Sequence, residues 1–371
     1  MVFVKISPHS RPSLGWRWAL SSLLSFVALG LVAYAGVDLR PSGWLAAVSM
    51  VLPYIYWLLA LIALLVGYAQ LKDSWLMRIP LLSVWGFGIL WWGRYFVAFP
   101  VDGPSELEVV TWNLGRMGEH RSHTGEIDEA VFGCVSKAIE AEDADIWVFL
   151  EISQRALGAL GERAGLDCKH VDYFGTGSDG RGGLAICSRR KSDWVITRAK
   201  DLPLPPGWRY IFVEVGNGSR VANVLGLHFS PFTWSKRSLK RATKELARGR
   251  SALAETLVDG VESNAANQAK QLDRVLTVIS NFKDPTILAG DFNRTSDAAV
   301  HWRLRQDFWD TWLQAGRGLG TTYWLEGWLP LRIDFIYADQ EAFGVVAAEV
   351  GEQTCSDHQL VQAQLKWLTS P

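Results

Sequence analysis

The hydrophobic positions divide the chain into two parts of different character. The first part contains three long apolar stretches, at residues 18–37, 43–70 and 79–98, in which Arg94 is the only charged residue. About 20 apolar residues suffice to cross the hydrocarbon core of a bilayer. Trp and Tyr lie near several ends of these stretches, as they do at membrane interfaces. The pattern therefore predicts three transmembrane helices within residues 1–100.

Basic residues around these stretches predict an orientation in the membrane. Lys5, Arg11 and Arg17 precede the first stretch, Lys72 and Arg78 lie between the second and third, and only Arg40 lies between the first and second. The positive-inside rule then places the N-terminus in the cytoplasm and residues 101–371 on the periplasmic side of a bacterial inner membrane. Arg94 argues weakly for the opposite orientation, because its basic side chain would extend to the outer face of the membrane. A cleaved signal peptide could account for the first stretch but not for all three.

Residues 101–371 alternate between short strand patterns and helical patterns, after a linker at 99–106 that is rich in proline and glycine. Helical periodicity predicts helices at 126–142 and 264–282. Strand patterns cover 107–114, 145–152, 182–188, 210–216 and 220–229, and recur in "TILAGDF", "RIDFIYA" and "VVAAEVG". Many short strands with a few interposed helices predict an α/β sandwich, in which two packed β-sheets are covered by helices.

A basic helical pattern at residues 232–260 stands apart from the rest of the domain. It carries seven basic residues between Lys236 and Arg250, and its leucines fall at helical spacing. Gly249 weakens the helix locally. Three interpretations stay open: a solvated surface helix, a contact with anionic lipid headgroups, or a contact with a polyanionic substrate. Trp234 at its start favours the lipid interface.

Composition and cysteine content limit the function classes. Residues 101–371 hold 36 of the 38 acidic and 30 of the 37 basic residues, a formal charge of −6, which gives no support for nucleic-acid binding. The four cysteines, Cys134, Cys168, Cys187 and Cys355, show no metal-binding spacing. A domain outside the cytoplasm would permit a disulfide, but the sequence does not pair the cysteines. Cys187 lies in an apolar run, which predicts a buried thiol.

Polar residues stand at the ends of several predicted strands. They are Asn113, Glu151, His228, Asp291, Asn293, Asp334, Asp357 and His358. Each alone is typical of a turn or cap, but polar residues that leave strand ends often form sites. Their oxygen atoms suit Mg²⁺ or Mn²⁺ better than zinc. Hydrolysis of a phosphate ester needs such a metal, a base that orients water and a proton donor for the leaving group.

Two other classes of hydrolase lack support. The chain has no glycine-rich loop followed by Lys-Ser/Thr, so nucleotide hydrolysis by a P-loop is not indicated. It also lacks the GxSxG motif of the serine α/β-hydrolases.

Seven motifs, in their order along the chain, carry a family resemblance. They are "TWNLG", "DADIWVFLEI", "GRGGLAICSRR", "LGLHFSP", "LAGDFNRT", "LRIDFIY" and "SDHQLV". This order resembles the endonuclease/exonuclease/phosphatase superfamily, which includes deoxyribonucleases, abasic-site endonucleases, neutral sphingomyelinases and inositol-polyphosphate 5-phosphatases. The resemblance covers roughly 107–368 and implies a four-layer α/β sandwich.

The resemblance also implies residue roles. Asn113, Glu151 and Asp357 match the positions of a Mg²⁺ or Mn²⁺ site, with Glu151 the best matched ligand. His228 matches the histidine that contacts the scissile phosphate and protonates the leaving oxygen.

The remaining roles concern water and phosphate. Asp291 matches the aspartate that orients or deprotonates the attacking water, and Asn293 the amide beside the phosphate. Asp334 matches the carboxylate that pairs with the last histidine, His358, and keeps it cationic or correctly oriented. Arg181 lies where relatives often place a residue that faces the substrate, although an ordinary loop arginine is an equal interpretation.

Together these features predict a membrane-anchored, metal-dependent phosphoesterase that is nuclease-like. A lipid-headgroup phosphodiesterase or phosphatase is the alternative, and a non-catalytic membrane scaffold with the same fold is a second one. The predicted partners are a phosphate-ester substrate and the lipid bilayer, and no obligate protein partner is indicated. The sequence does not separate diester from monoester substrates.

Overall fold

The computed structural model describes residues 15–37, 51–67, 78–115, 117, 127–172, 182–199, 202, 209–231, 252–325, 327–352 and 355–368. By its internal contacts the chain divides into two compact units. One comprises Met1–Val37 and Val51–Gly93, and the other comprises Asp38–Met50 and Arg94–Pro371.

In its described residues the first unit contains three helices, α1 (Gly15–Val37), α2 (Leu52–Gly67) and α3 (Arg78–Gly93). Polar side chains link these helices inside the bundle. The hydroxyl of Ser21 donates a hydrogen bond to the carbonyl of Ala63 at 2.9 Å, and the hydroxyl of Tyr56 donates to the carbonyl of Val84 at 2.5 Å.

The prediction of three transmembrane helices is wrong for the part of the chain that the structure describes. No helix there is both long and apolar enough to cross a membrane. In α1 the serines Ser21, Ser22 and Ser25 are buried. The multi-pass location in an inner membrane, with an outward-facing domain, therefore loses its basis.

The second unit is built on two six-stranded mixed sheets. The first has the strand order β13-β14-β1-β2-β4-β3 and the second has the order β5-β6-β7-β8-β12-β9. The first sheet contains β1 (Leu107–Asn113), β2 (Ile146–Ile152), β3 (Leu166–Asp172), β4 (Gly183–Arg189), β13 (Phe343–Val350) and β14 (Val361–Trp367). The second contains β5 (Val195–Ala199), β6 (Arg209–Gly216), β7 (Val221–His228), β8 (Thr286–Asp291), β9 (Phe308–Asp310) and β12 (Asp334–Asp339).

Helices and a hairpin complete this unit. The helices are α4 (Glu129–Ala141), α5 (Gln154–Ala164), α6 (Ala252–Ile279), α7 (Ala299–Leu304) and α8 (Thr311–Ala315). The hairpin pairs β10 (Tyr323–Leu325) with β11 (Leu329–Leu331). Residues 232–251 of the predicted basic helix lie outside the described residues, and α6 contains most of the helix predicted at 264–282.

Three apolar clusters hold the layers together. One lies between the two sheets and includes Val148, Ile186 and Val224. A second joins the first sheet to α4 and α5, and a third joins the second sheet to α6. The central strands are buried on both faces, which is why they read as nearly continuous apolar runs. The predicted α/β sandwich of two mixed sheets flanked by helices is confirmed.

The predicted linker at 99–106 is part of the second unit. The backbone N–H of Phe99 donates to the carbonyl of Gln314 at 2.6 Å, and that of Val101 donates to Val345 at 2.9 Å. Just before it, Arg94 forms a salt bridge of 2.9 Å with Asp297. The proline and glycine content of this segment correctly indicated irregular backbone. Its attachment to the domain depends on hydrogen bonds to carbonyl groups that are distant in the sequence, which the content could not show.

All four cysteines are paired. Cys134 is bonded to Cys355, and Cys168 to Cys187. The prediction of a buried free thiol at Cys187 is wrong, because Cys168 lies directly opposite it across the β3–β4 ladder with a Cα–Cα distance of 4.0 Å. Such a pairing depends on the register of the two strands, which cannot be read from the spacing of the cysteines along the chain.

Candidate active site

Strand register places three predicted site residues in one row across the second sheet. His228 ends β7 and pairs with Asp291, the last residue of the parallel strand β8. Asp334 begins β12, which is antiparallel to β8, and pairs with the same Asp291 from the other side. Because neighbouring strands lie only about 5 Å apart, these three side chains share one edge of the sheet.

The first sheet brings a second pair to its own strand ends. Asn113 ends β1, which is parallel to β2 and pairs there with Leu150, the residue before Glu151. Glu151 adopts a left-handed backbone conformation with φ of 54°. Non-glycine residues with positive φ are uncommon and concentrate at functional sites. Asn293, two residues after Asp291, has a similar φ of 50°.

Gly290 permits the close approach of β7 and β8 just before these residues. Its φ is 147°, and a Cβ atom there would lie 1.9 Å from the carbonyl oxygen of Leu227. Only glycine fits this position, because any side chain would overlap the neighbouring strand. The glycine in "LAGDF" is therefore required by the geometry that presents Asp291.

His228 and Asp291 meet at the centre of the site. The Nε2 atom of His228 lies 3.7 Å from Oδ2 of Asp291 and 3.9 Å from Oε1 of Glu151. The amide of Asn113 donates to Oδ2 of Asp291 at 3.2 Å, and the backbone N–H of Asn293 donates to Oδ1 at 2.7 Å. The carboxylate of Asp291 is thus held through both oxygens.

Burial and neighbouring charge raise the pKa of Asp291. Its carboxyl group is buried, and the nearby Asp334 and Glu151 add repulsion, so its pKa rises to about 8 even though His358 and the N–H of Asn293 act in the other direction. A carboxylate with this pKa is a stronger base than an exposed aspartate.

His358 forms a buried pair with Asp334. Its Nδ1 atom lies 2.8 Å from Oδ2 of Asp334. Burial alone would lower the pKa of His358, but Asp334 and the further acidic neighbours Asp291 and Asp357 outweigh it and raise this pKa to about 10. The imidazole is therefore cationic at neutral pH, so that Nε2 also carries a proton.

The segment with Asp357 and His358 reaches back to the end of β1. The hydroxyl of Ser356 donates to the carbonyl of Asn113 at 2.7 Å and accepts from the N–H of His358 at 3.2 Å. Asp357 lies beside the same strand end, since a Cβ atom on Gly115 would be 3.0 Å from its Oδ1. Asn113, Glu151 and Asp357, the three predicted metal ligands, thus come from neighbouring backbone segments.

Further acidic groups beside the three predicted ligands also suit a hard divalent cation. Among the described residues, the ligand atoms of Asp291, Asp334 and His358 all lie within 4.8 Å of one another. Nδ1 of His358 already bonds to Asp334, which favours oxygen donors for a cation at this site. Oδ1 of Asp334 is buried without a hydrogen-bond partner in the described structure. Clustered carboxylates that repel one another are stabilised by a bound Mg²⁺ or Mn²⁺.

Sequence reasoning missed three residues that support the site. Thr322 accepts the N–H groups of Ile333 and Asp334 on its hydroxyl, each at 3.1 Å. The ring of Tyr323 lies 4.8 Å from that of His358, and the indole of Trp112 donates to the carbonyl of His358 at 3.0 Å. Nothing in their local sequence distinguishes them from core residues. Arg181 lies outside the described residues.

The sequence matches the endonuclease/exonuclease/phosphatase family over residues 110–358, about two thirds of the chain. The chain therefore belongs to this family, as its motifs indicated. No curated protein matches it.

Solved structures agree on the fold. An endonuclease/exonuclease/phosphatase from Bacteroides vulgatus is similar with a TM-score of 0.51 and 15% identity, over 70% of this chain and 98% of that one. A conserved protein of unknown function from Enterococcus faecalis V583 has a TM-score of 0.50 and 17% identity, over 70% and 100%. A D. rerio TDP2 humanized by 14 mutations has a TM-score of 0.50 and 16% identity, over 70% and 98%.

Proposed function

We propose that this chain is a hydrolase of phosphate esters that depends on a divalent cation. The observation that carries the proposal is the row formed by His228, Asp291 and Asp334, with His358 bonded to Asp334 and Glu151 near His228. It combines a buried base, a cationic imidazole and further carboxylates at one edge of the sandwich.

Asp291 acts on the attacking water in this proposal. It orients the water or accepts its proton, and its raised pKa suits a general base that works near neutral pH. The Asn113 amide and the Asn293 N–H hold its two oxygens and fix the direction from which water is activated. Such fixed geometry accounts for much of a general base's efficiency.

The two histidines interact with the phosphate and with the leaving group. The cationic His358 donates a hydrogen bond to a phosphoryl oxygen, and Asp334 keeps it charged and oriented. His228 contacts the phosphate and protonates the leaving oxygen. The Asn293 side chain donates to the carbonyl of Phe229 at 3.0 Å, which holds this amide beside the phosphate position.

Asn113, Glu151 and Asp357 would hold the divalent cation. When bound, such a cation offsets the negative charge on the phosphoryl oxygens. The hydrogen bond from Ser356 to the carbonyl of Asn113 keeps the segment of Asp357 next to the end of β1.

The hairpin next to His358 supports a nuclease-like substrate. Trp324 is 46% exposed and Trp328 is 71% exposed, and the adjacent Tyr323 touches the ring of His358. Exposed aromatic rings beside a phosphate site suit stacking with nucleobases, which is worth about 1–3 kcal/mol per base.

The purified full chain should hydrolyse bis-p-nitrophenyl phosphate and a single-stranded oligonucleotide with Mg²⁺ or Mn²⁺, and EDTA should abolish both activities. Glu151→Gln should lower turnover by at least about 100-fold, whereas Glu162→Gln, on the exposed face of α5, should leave it unchanged. Sphingomyelin, phosphoinositides and phosphomonoesters should be offered in parallel. Activity that survives both EDTA and Glu151→Gln would refute the proposal.

A further inference from the structure

The disulfide between Cys134 and Cys355 joins the site to a helix outside it. Cys355 immediately precedes Ser356, Asp357 and His358, between β13 and β14. Its partner Cys134 lies in α4, on the outer side of the first sheet.

Helix α4 is a firm anchor for this bond. Val135 and Ile139 are buried in the cluster between α4 and the first sheet. Asp128 caps the start of the helix by accepting from the N–H groups of Ala130 and Val131. A point fixed to this helix is therefore fixed relative to the first sheet.

The other end of the segment is fixed by packing. Leu360 is buried, and its carbonyl accepts the N–H of Gly351 at 3.0 Å. Only the four residues from Ser356 to Gln359 separate Leu360 from the disulfide. Hydrogen bonds also attach the segment, from Ser356 to Asn113, from the Trp112 indole to the carbonyl of His358, from His358 to Asp334 and from the Gln359 N–H to Thr322. The disulfide is the covalent restraint at the start of this segment.

The second disulfide offers an internal comparison. Cys168 and Cys187 face each other in the β3–β4 ladder, which is already registered from Leu166 to Asp172 by backbone pairing. This backbone pairing should hold the ladder in place without the disulfide. The two bonds also differ in burial, because one sulfur of the second bond, that of Cys187, is fully buried while Cys168 is partly exposed, whereas Cys134 and Cys355 are both partly exposed.

We propose that the Cys134–Cys355 disulfide is a positioning element for Asp357 and His358, so that its reduction weakens cation binding and turnover while the fold persists. The proposal rests on the proposed function for the reaction that it affects. A dithiol reductant supplies two electrons and two protons, the S–S bond breaks to give two thiols, and the reductant closes to its own cyclic disulfide.

The test compares two double variants of the full chain, Cys134→Ser/Cys355→Ser and Cys168→Ser/Cys187→Ser. We expect the first to bind Mn²⁺ at least tenfold more weakly in calorimetry and to exchange the amide hydrogens of Ser356–Leu360 faster. Its kcat should fall more than its KM changes. The second variant should match the wild type in all three measurements. If the first variant does not fold, the same measurements are made on wild type partially reduced by dithiothreitol, with folding followed by circular dichroism.

Unchanged exchange and unchanged Mn²⁺ affinity after loss of Cys134–Cys355 would overturn the proposal. Equal effects of both double variants would also overturn it, because they would indicate general destabilisation. A wild type without phosphoesterase activity would refute the proposed function alone, since hydrogen exchange of Ser356–Leu360 still tests the restraint.

Discussion

The buried pair of Asp334 and His358 gives the sharpest test of the site. In Asp334→Asn the side chain keeps its size but loses its charge, so His358 loses the carboxylate at 2.8 Å that most favours its cation. Burial, which acts against the charged imidazole, remains. We therefore expect the pKa of His358 to fall from about 10 towards the ordinary value of about 6.5.

The size of the effect follows from the pKa of His358. The difference between about 10 and about 6.5 corresponds to roughly 5 kcal/mol of preference for the cation. Because the pKa is raised in the folded protein, this stabilisation is complete below about pH 6.5 and is lost as the pH rises towards 10. Loss of one partner of a buried pair typically costs about 3–5 kcal/mol.

Two measurements check this expectation. The free energy of unfolding in urea at pH 7 should fall by about 3–5 kcal/mol in Asp334→Asn, and turnover should fall by at least about 100-fold, with the residual activity shifted to lower pH. Asp339→Asn, at the other end of β12, is the matched control and should change neither. A variant with the wild-type pH profile and wild-type stability would refute the role of the pair.

Two further predictions concern the backbone and the stability of the second sheet. Gly290→Ala should lower the free energy of unfolding in urea by more than about 4 kcal/mol, because its Cβ would overlap the carbonyl of Leu227. Gly133→Ala, where no atom lies within 4 Å, should instead stabilise the protein by up to about 1 kcal/mol. Equal effects of the two substitutions would contradict this prediction. His301 is buried with its pKa well below 6.5, and its Nε2–H donates to the carbonyl of Arg294. The folded protein therefore favours the neutral imidazole. The free energy of unfolding that this preference contributes above about pH 6.5 should decline as the pH falls to 5.5. A His301→Gln variant with the same pH dependence would contradict this assignment.

The sequence by itself determined the types of residue at the strand ends and the class of fold. Apolar runs that stop at Asn113, His228 and Asp291 mark strands that end at the edge of their sheet, where polar side chains follow the apolar core. The helical pattern at 126–142 likewise indicated α4, whose buried side chains repeat at helical spacing. The ordered motifs identified the family without any three-dimensional information.

The tertiary structure decided what depends on contacts between distant residues. Hydropathy alone predicted membrane spans in a part of the chain where no described helix is both long and apolar enough to cross a bilayer. The partner of Cys187 followed from strand register, and the support of Thr322 for Asp334 followed from a hairpin that packs beside β12. Local sequence determines the type of side chain and the periodicity of a segment. The residues that a side chain contacts can lie far away in the sequence, and Cys134 and Cys355 are bonded across a separation of 221 residues.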